Sequence, residues 1–469
     1  MGEMYKNCQK DQSITEDVRI SGLRLGLVTI CIFLITACFH FYGLDQWPWD
    51  HDEVPCLIEL GYSKIQLSGA IGEQAVKSPR IMPVWYELQG LALRVLPANE
   101  WGTRVLPAFC GVLAVVAAFW AVARYWSLLQ ACALVILLNG SQCYIWQSQQ
   151  NRFYSMAILF QILTWIAVMI PKVSLLSILL CILFSILGVL CHSLLVVVFV
   201  LGFASACAAF LCGLTRRSVV YHCGATAAAS GLLYFLYLRP FLKGWVSGGT
   251  YGTNEVVSFL AQIGLPTIAL AILGSGAILF SSKTNKTMAW WAILAAAGLS
   301  FIAGSRFAMG AWNPRYCLLF MPAVFVVASY GVEQVARLLT PMPFRIAWLG
   351  CITVLLLPKL ASHYQDGSRH DFRSAASVVV NSTKEGQNVV SNWPETLQYY
   401  LPEDSGIKVE WLQSVLPQTD FIAVISSNAW QPVFQSADRK VKVLAEIRKR
   451  RFDEQSHIVR VYQVSAANE

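Results

Sequence analysis

Charge is what this sequence has least of. Asp, Glu, Lys and Arg make up 13% of its 469 residues, whereas soluble domains carry about 25%. With 56% hydrophobic residues and a mean hydropathy of +0.53, that shortage excludes a water-soluble globule and points to lipid as the solvent. No glycine-rich phosphate loop is present, which removes the usual footing for nucleotide chemistry. There is no CxxC pair, and the 14 cysteines are scattered, most of them inside apolar runs, with none after Cys351; they read as small core side chains. No internal repeat of the kind that marks transporters is visible.

What is present is a series of apolar runs that ends near residue 360. A membrane span needs about 20 such residues. Stretches of that kind lie near 21–43, 102–123, 128–146, 155–170, 173–190, 193–214, 219–238, 259–281, 288–304, 317–335 and 346–360. The fold class expected is therefore mainly α, a polytopic bundle of about eleven transmembrane helices. The first run follows a polar head with Lys6, Lys10, Arg19 and Arg24 and is too long for a signal-peptide core, so it reads as a retained anchor. The formal charge of +8 does not signal nucleic acid, because the basic residues sit mostly in short loops between spans, where they set orientation. Arg124, Lys172, Arg216, Arg217, Lys283, Lys286, Arg337 and Arg345 all fall in alternate loops. That pattern predicts a cytoplasmic N-terminus and an extracytoplasmic C-terminal segment in the cell (inner) membrane.

Two domains follow: a membrane-embedded one over 1–360, with surface helices in its outer loop 44–101, and a small extracytoplasmic α/β domain over 361–469. In the tail, DFRSAASVVVNST and WPETLQYYL read as helices, and QNVVS, FIAVIS and VRVYQV as strands. With no catalytic pattern of its own, the tail reads as a cap over the membrane site.

The residues able to carry chemistry gather on the outer side. Asp52 and Glu53 are adjacent carboxylates directly after the first span, flanked by Trp47 and Trp49, which suit an interfacial belt. A carboxylate costs about 2.5–3.5 kcal/mol at mid-bilayer, so a pair at the boundary is tolerable and informative. His51 beside them raises the question of a metal, but HDE is not a ligand spacing. The polar break SQQNRFYSM brings Gln150, Arg152 and Tyr154, and a guanidinium there suits bidentate contact with phosphate. Lys77, Arg80, Arg239, Lys243, Arg306 and Arg315 are further outer cations, which run against the positive-inside trend and point to an anionic ligand such as a lipid phosphate.

The order of these motifs resembles that of the GT-C glycosyltransferases, most of all the bacterial branch related to dolichyl-phosphate-mannose protein mannosyltransferases and the lipid A aminoarabinose transferase. Asp52 and Glu53 match that branch's Asp-Glu pair; Pro83, Trp85, Tyr86, Glu100 and Arg104 match its proline-aromatic stretch with Glu and Arg following. Ser148 to Tyr154 match Ser-Gln-Glu-Ala-Arg-Met-Tyr, with Gln150 where the family has glutamate. His192, the Pro-Arg-Tyr of Pro314, Arg315 and Tyr316, and DFRSAA at 371–376 extend the similarity over nearly the whole chain. The resemblance implies inverting transfer of a sugar from a polyprenyl-phosphate donor to a glycan, lipid or protein acceptor, with Asp52 as general base, Glu53 orienting it, and Arg152 and Arg315, backed by Lys77 and Arg239, holding the phosphate. Because an amide replaces the family's acid at Gln150, no metal cofactor is expected, although a divalent ion is the alternative that His51, Asp52 and Glu53 leave open. The rival readings are a non-enzymatic membrane protein, whether transporter or inactive scaffold, and an oligosaccharide ligase.

Overall fold

The computed structural model describes residues 22–49, 53–61, 80–242, 263–280, 286–309, 318–339, 341–366, 369–412, 420–426, 439–449 and 457–466. Among the described residues, five helices are long and apolar enough to cross a membrane: α1 (Gly22–Phe41), α4 (Glu100–Tyr125), α10 (Arg217–Leu233) with its π-helical continuation Tyr234–Leu238, α13 (Met321–Leu338) and α14 (Met342–Asp366). The pair α5 (Leu128–Asn139) and α6 (Gln142–Ser148) passes the same test together, bent by 68°. The described residues also include shorter apolar stretches in α7 (Tyr154–Val168), α8 (Leu175–Cys191), α9 (Leu195–Leu211), α11 (Leu265–Phe280) and α12 (Lys286–Met309), in the last over Met288–Gly304. Each expected apolar stretch meets one of these segments. The chain is a multi-pass membrane protein; α1 alone leaves Leu27, Ile30, Leu34 and Ile35 exposed, a surface that only lipid can solvate.

Between apolar helices in lipid, close packing and buried hydrogen bonds replace the hydrophobic effect as the source of association. One close contact joins α11 to α13. A Cβ added at Gly274 would lie 2.2 Å from the Val327 carbonyl oxygen, and one at Gly331 2.2 Å from that of Leu270. The two backbones therefore touch through reciprocal glycines, each one turn from the carbonyl that its partner meets.

Two short helices, α2 (Glu53–Glu59) and α3 (Pro83–Ala92), lie in the expected outer loop. Asn99 caps α4 by accepting from the Gly102 N–H at 2.9 Å, which sets Arg104 in the first turns of that helix. Helix α14 runs to Asp366, past the expected end of the last span.

The C-terminal unit is α/β. Helices α15 (Phe372–Ser382) and α16 (Pro394–Tyr400) accompany a five-stranded sheet of order β2-β1-β3-β5-β4, formed by β1 (Asn388–Ser391), β2 (Val409–Trp411), β3 (Phe421–Ile425), β4 (Arg439–Lys449) and β5 (His457–Ala466). β1 pairs in parallel with β2 and β3, and β5 runs antiparallel to β3 and β4. The period of two divides the sheet: Val389, Ile422, Val424, Val459 and Val461 pack with Phe372 and Val379 of α15, while Val390, Phe421, Ala423, Tyr462 and Val464 form a separate core.

The glycine contact gives a direct test. Gly331→Ala should lower the thermal midpoint of the purified protein by the equivalent of about 1–3 kcal/mol of overpacking, whereas Gly276→Ala, whose added Cβ meets nothing within 4 Å, should be neutral or slightly stabilising. Equal behaviour of the two variants would rule out the backbone contact.

Candidate active site

The site is assembled around the Glu53 carboxylate, which is fully buried. Arg104 grips it with two hydrogen bonds, Nε to Oε1 and Nη2 to Oε2, both at 2.9 Å. The same guanidinium donates to the carbonyls of Leu44, Trp47 and Pro48 at 2.8–3.0 Å, so it also holds the chain leaving α1. Arg369, between α14 and α15, brings its Nε to 3.4 Å from Glu53 Oε2, and the backbone N–H of Asn151 donates to Oε1 at 2.8 Å. All three charged side chains are wholly out of solvent. A buried carboxylate is tolerable only when paired and hydrogen-bonded on this scale.

The irregular backbone between α6 and α7 is satisfied in the same economical way. Gln149 Nε2 reaches the carbonyls of Phe39, His40 and Tyr42 at 3.0–3.2 Å, covering the open end of α1. Its Oε1 lies 2.8 Å from His363 Nε2 on α14, and its own carbonyl accepts from Arg369 Nη2 at 2.7 Å. Gln89 of α3 donates to Thr103 O at 2.7 Å and to Asn151 Oδ1 at 2.9 Å. One short segment thus ties the first, second and last long helices together.

Beside this hub lies Arg152, partly buried. Its Nη1 is 3.6 Å from Cys56 Sγ and its guanidinium is 5.0 Å from the Phe153 ring centroid. Burial pushes the Cys56 thiol up to about 11, so it stays protonated. Tyr86 donates its hydroxyl to Glu59, and burial, with Cys56 and Glu59 adding to it, holds the phenol well above its ordinary range. His192 sits in the break between α8 and α9, 5.0 Å from the Phe153 ring and 5.5 Å from that of Tyr154. Burial first, and then the Arg152 charge, push its imidazole from 6.5 down to about 3. It accepts from the Leu194 N–H at Nδ1, 3.2 Å away, which leaves the proton of the neutral ring on Nε2.

Of the expected site residues, Glu53, Gln150, Arg152, Tyr154 and His192 come together, joined by Arg104 and Tyr86. Gln150 is fully buried and its side-chain amide has no hydrogen-bond partner among the described residues; its link to Arg152 is its carbonyl, accepting from the Arg152 N–H at 2.7 Å. Arg80 and Arg239 are exposed, and their side chains make no hydrogen bond or ion pair with described residues. Asp52, Lys77, Arg315 and Tyr316, with His51 and Lys243, lie outside the described residues. Trp47 and Trp49 are buried instead of lying in an interfacial belt, because Trp47 packs on His363 and Arg369, and Trp49 on Tyr399. Among the described residues, no three His, Cys, Asp or Glu side chains are grouped as a metal site. An apolar cavity lined by Trp126, Trp165 and Trp291 lies among the spans and includes none of these residues.

No family model matches the sequence, and no curated protein matches it. Solved structures do. ArnT from Cupriavidus metallidurans, a lipid A aminoarabinose transferase, superposes in its apo state with a TM-score of 0.57 at 11% identity, covering 93% of this chain and 97% of that one. The same protein bound to undecaprenyl phosphate gives 0.52 at 12% identity over the same shares. The chain and ArnT share their fold over nearly their whole lengths.

The depressed His192 has a consequence for stability. Below 6.5 an unfolded His192 takes up a proton that the folded one refuses until about 3, so in that window the unfolded state binds more protons and stability falls as pH drops. Thermal midpoints measured from pH 6.5 down to 4 should decline less steeply for His192→Gln than for the parent protein. Parallel declines would mean that the imidazole is not held neutral.

Proposed function

We propose that the chain is an inverting glycosyltransferase that moves a sugar from a polyprenyl-phosphate carrier to a glycan, lipid or protein acceptor at the extracytoplasmic face of the inner membrane. One observation carries this reading: Glu53, Arg104, Asn151 and Arg369, from four segments far apart in sequence, close on one carboxylate. They do so within a fold shared along 93% of the chain with ArnT, one of whose structures holds undecaprenyl phosphate. That extent of shared fold does not favour a transporter. In this reading the eleven apolar segments all cross the bilayer, the basic loops face the cytoplasm, and the C-terminal unit stands on the outer side as a second domain after a membrane domain of about 360 residues.

In the reaction, the acceptor hydroxyl attacks the anomeric carbon opposite the phosphate, and Asp52 takes its proton as the new C–O bond forms. The bond from the sugar to the phosphate oxygen breaks, and the polyprenyl phosphate leaves with the electron pair. Negative charge grows on the leaving group, so fixed cations stabilise the transition state more than the ground state. Arg152 and Arg315 fill that role, with Lys77 and Arg239 behind them. Glu53, already engaged by two arginines, is a positioning residue and not a second base. Gln150, Tyr154 and His192 are neutral and suit hydrogen bonding or stacking against sugar or acceptor, and the reaction proceeds without a metal.

Asp52→Asn should insert and fold normally while sugar transfer falls about a hundredfold or more, the loss expected for a positioned base; the parent's rate should be insensitive to EDTA. Near-parental transfer by that variant would remove Asp52 from the mechanism. A chelator-sensitive rate restored by a divalent ion would reassign Asp52 and His51 as ligands.

A further inference from the structure

Glu53 is held in the bundle, and Trp49, four residues before it, is held by the C-terminal unit. The Trp49 backbone N–H donates to the Tyr400 hydroxyl at 2.6 Å, and that hydroxyl donates to Glu100 Oε1 at 3.2 Å. The same carboxylate oxygen accepts from Arg373 Nη2 at 2.6 Å, and the Arg373 guanidinium lies 5.7 Å from the Tyr400 ring centroid. The Trp49 ring, fully buried, lies 4.2 Å from the ring of Tyr399. Burial raises the Tyr400 phenol above its ordinary range, so it keeps its proton. The chain of bonds therefore runs one way, from amide to hydroxyl to carboxylate.

A cap that only excluded water would need apolar contact and little else. This unit instead spends Arg373 of α15, Tyr399 and Tyr400 of α16, and Arg369 just before α15, on the two residues that flank positions 50–52 or on their direct supports. Glu100 is the meeting point: it belongs to the first turn of α4, the helix that also supplies Arg104. The holds on Trp49 and on Glu53 thus both refer to α4, and a unit built more than 300 residues later in the 469-residue chain supplies one of them.

We propose that the C-terminal unit is a working part of the site, with Tyr400, held by Glu100 and Arg373, as a positioning residue that fixes Trp49 and with it the chain that runs into Glu53. The contact itself stands apart from the chemistry; its catalytic consequence rests on the reading of Asp52 as base.

The test uses the full chain in lipid nanodiscs and compares the parent with Tyr400→Phe and Glu100→Gln. Phenylalanine keeps the ring and removes only the hydroxyl. Hydrogen–deuterium exchange at residues 49–52 should quicken about tenfold in Tyr400→Phe, as for the loss of one hydrogen bond, and less in Glu100→Gln, with the β1–β3–β5 core unchanged. In a sugar-transfer assay, kcat for Tyr400→Phe should fall about tenfold to a hundredfold while the donor KM stays within about twofold, the split expected of misplacement without lost binding. Unchanged exchange would overturn the positioning role whatever the activity. Faster exchange with an unaltered kcat would overturn the working role and leave a structural dock. Faster exchange in a protein whose parent transfers no sugar would support the anchoring of the segment and count against the transfer reading alone.

Discussion

Placing a carboxylate where neither water nor lipid headgroups can reach it costs several kcal/mol unless its charge is met and its lone pairs are filled. Glu53 meets that demand with a bidentate arginine, a second arginine and a backbone amide. Each of these partners brings its own element with it. Arg104 fixes α4 and the chain leaving α1, Asn151 the break before α7, and Arg369 the entry to the C-terminal unit. Removing one partner from such a buried pair costs about 3–5 kcal/mol, because the other charge is left uncompensated. The ion pair is thus a weak source of net stability but a strong determinant of arrangement: few other packings of the same helices would satisfy it.

In the proposed mechanism the two neighbouring acids have different tasks, and the partners of Glu53 are the reason. Glu53 is committed to structure by the hydrogen bonds that Arg104 and Asn151 donate to its oxygens. Asp52, the residue before it, is the base of that proposal. Arg152 stands near the hub but apart from it, against Cys56 and Phe153. Neutral groups fill the remainder, including the imidazole of His192 and the unpartnered amide of Gln150.

Much of the fold was legible because lipid enforces a simple pattern. Apolar runs near 20 residues mark helices whatever their neighbours, and the apolar run FIAVIS and the period-two text of VRVYQV became β3 and β5. The motifs around residues 53, 104, 151 and 371 also fell where their order implied, in one region. Three features were not legible. Arg369 and Tyr400 read as ordinary tail residues, because nothing local records that their partners lie at Glu53 and Trp49. Trp47 and Trp49 resembled belt tryptophans, since interfacial and buried tryptophans share the same flanking text and differ only in what covers them. Gln149 was passed over for Gln150 beside it, although Gln149 carries the links to α1 and α14; periodicity reports the faces of one helix and not the ends of another.

The central claim is that this arrangement receives a lipid phosphate next to Arg152. Native mass spectrometry of the full chain, released from nanodiscs prepared with polyprenyl phosphate, tests it most directly. The account predicts a bound polyprenyl phosphate on the parent protein and loss of most of that occupancy in Arg152→Ala, since a charge-assisted contact to phosphate disappears. Equal occupancy of parent and variant, or no polyprenyl phosphate on either, would contradict it.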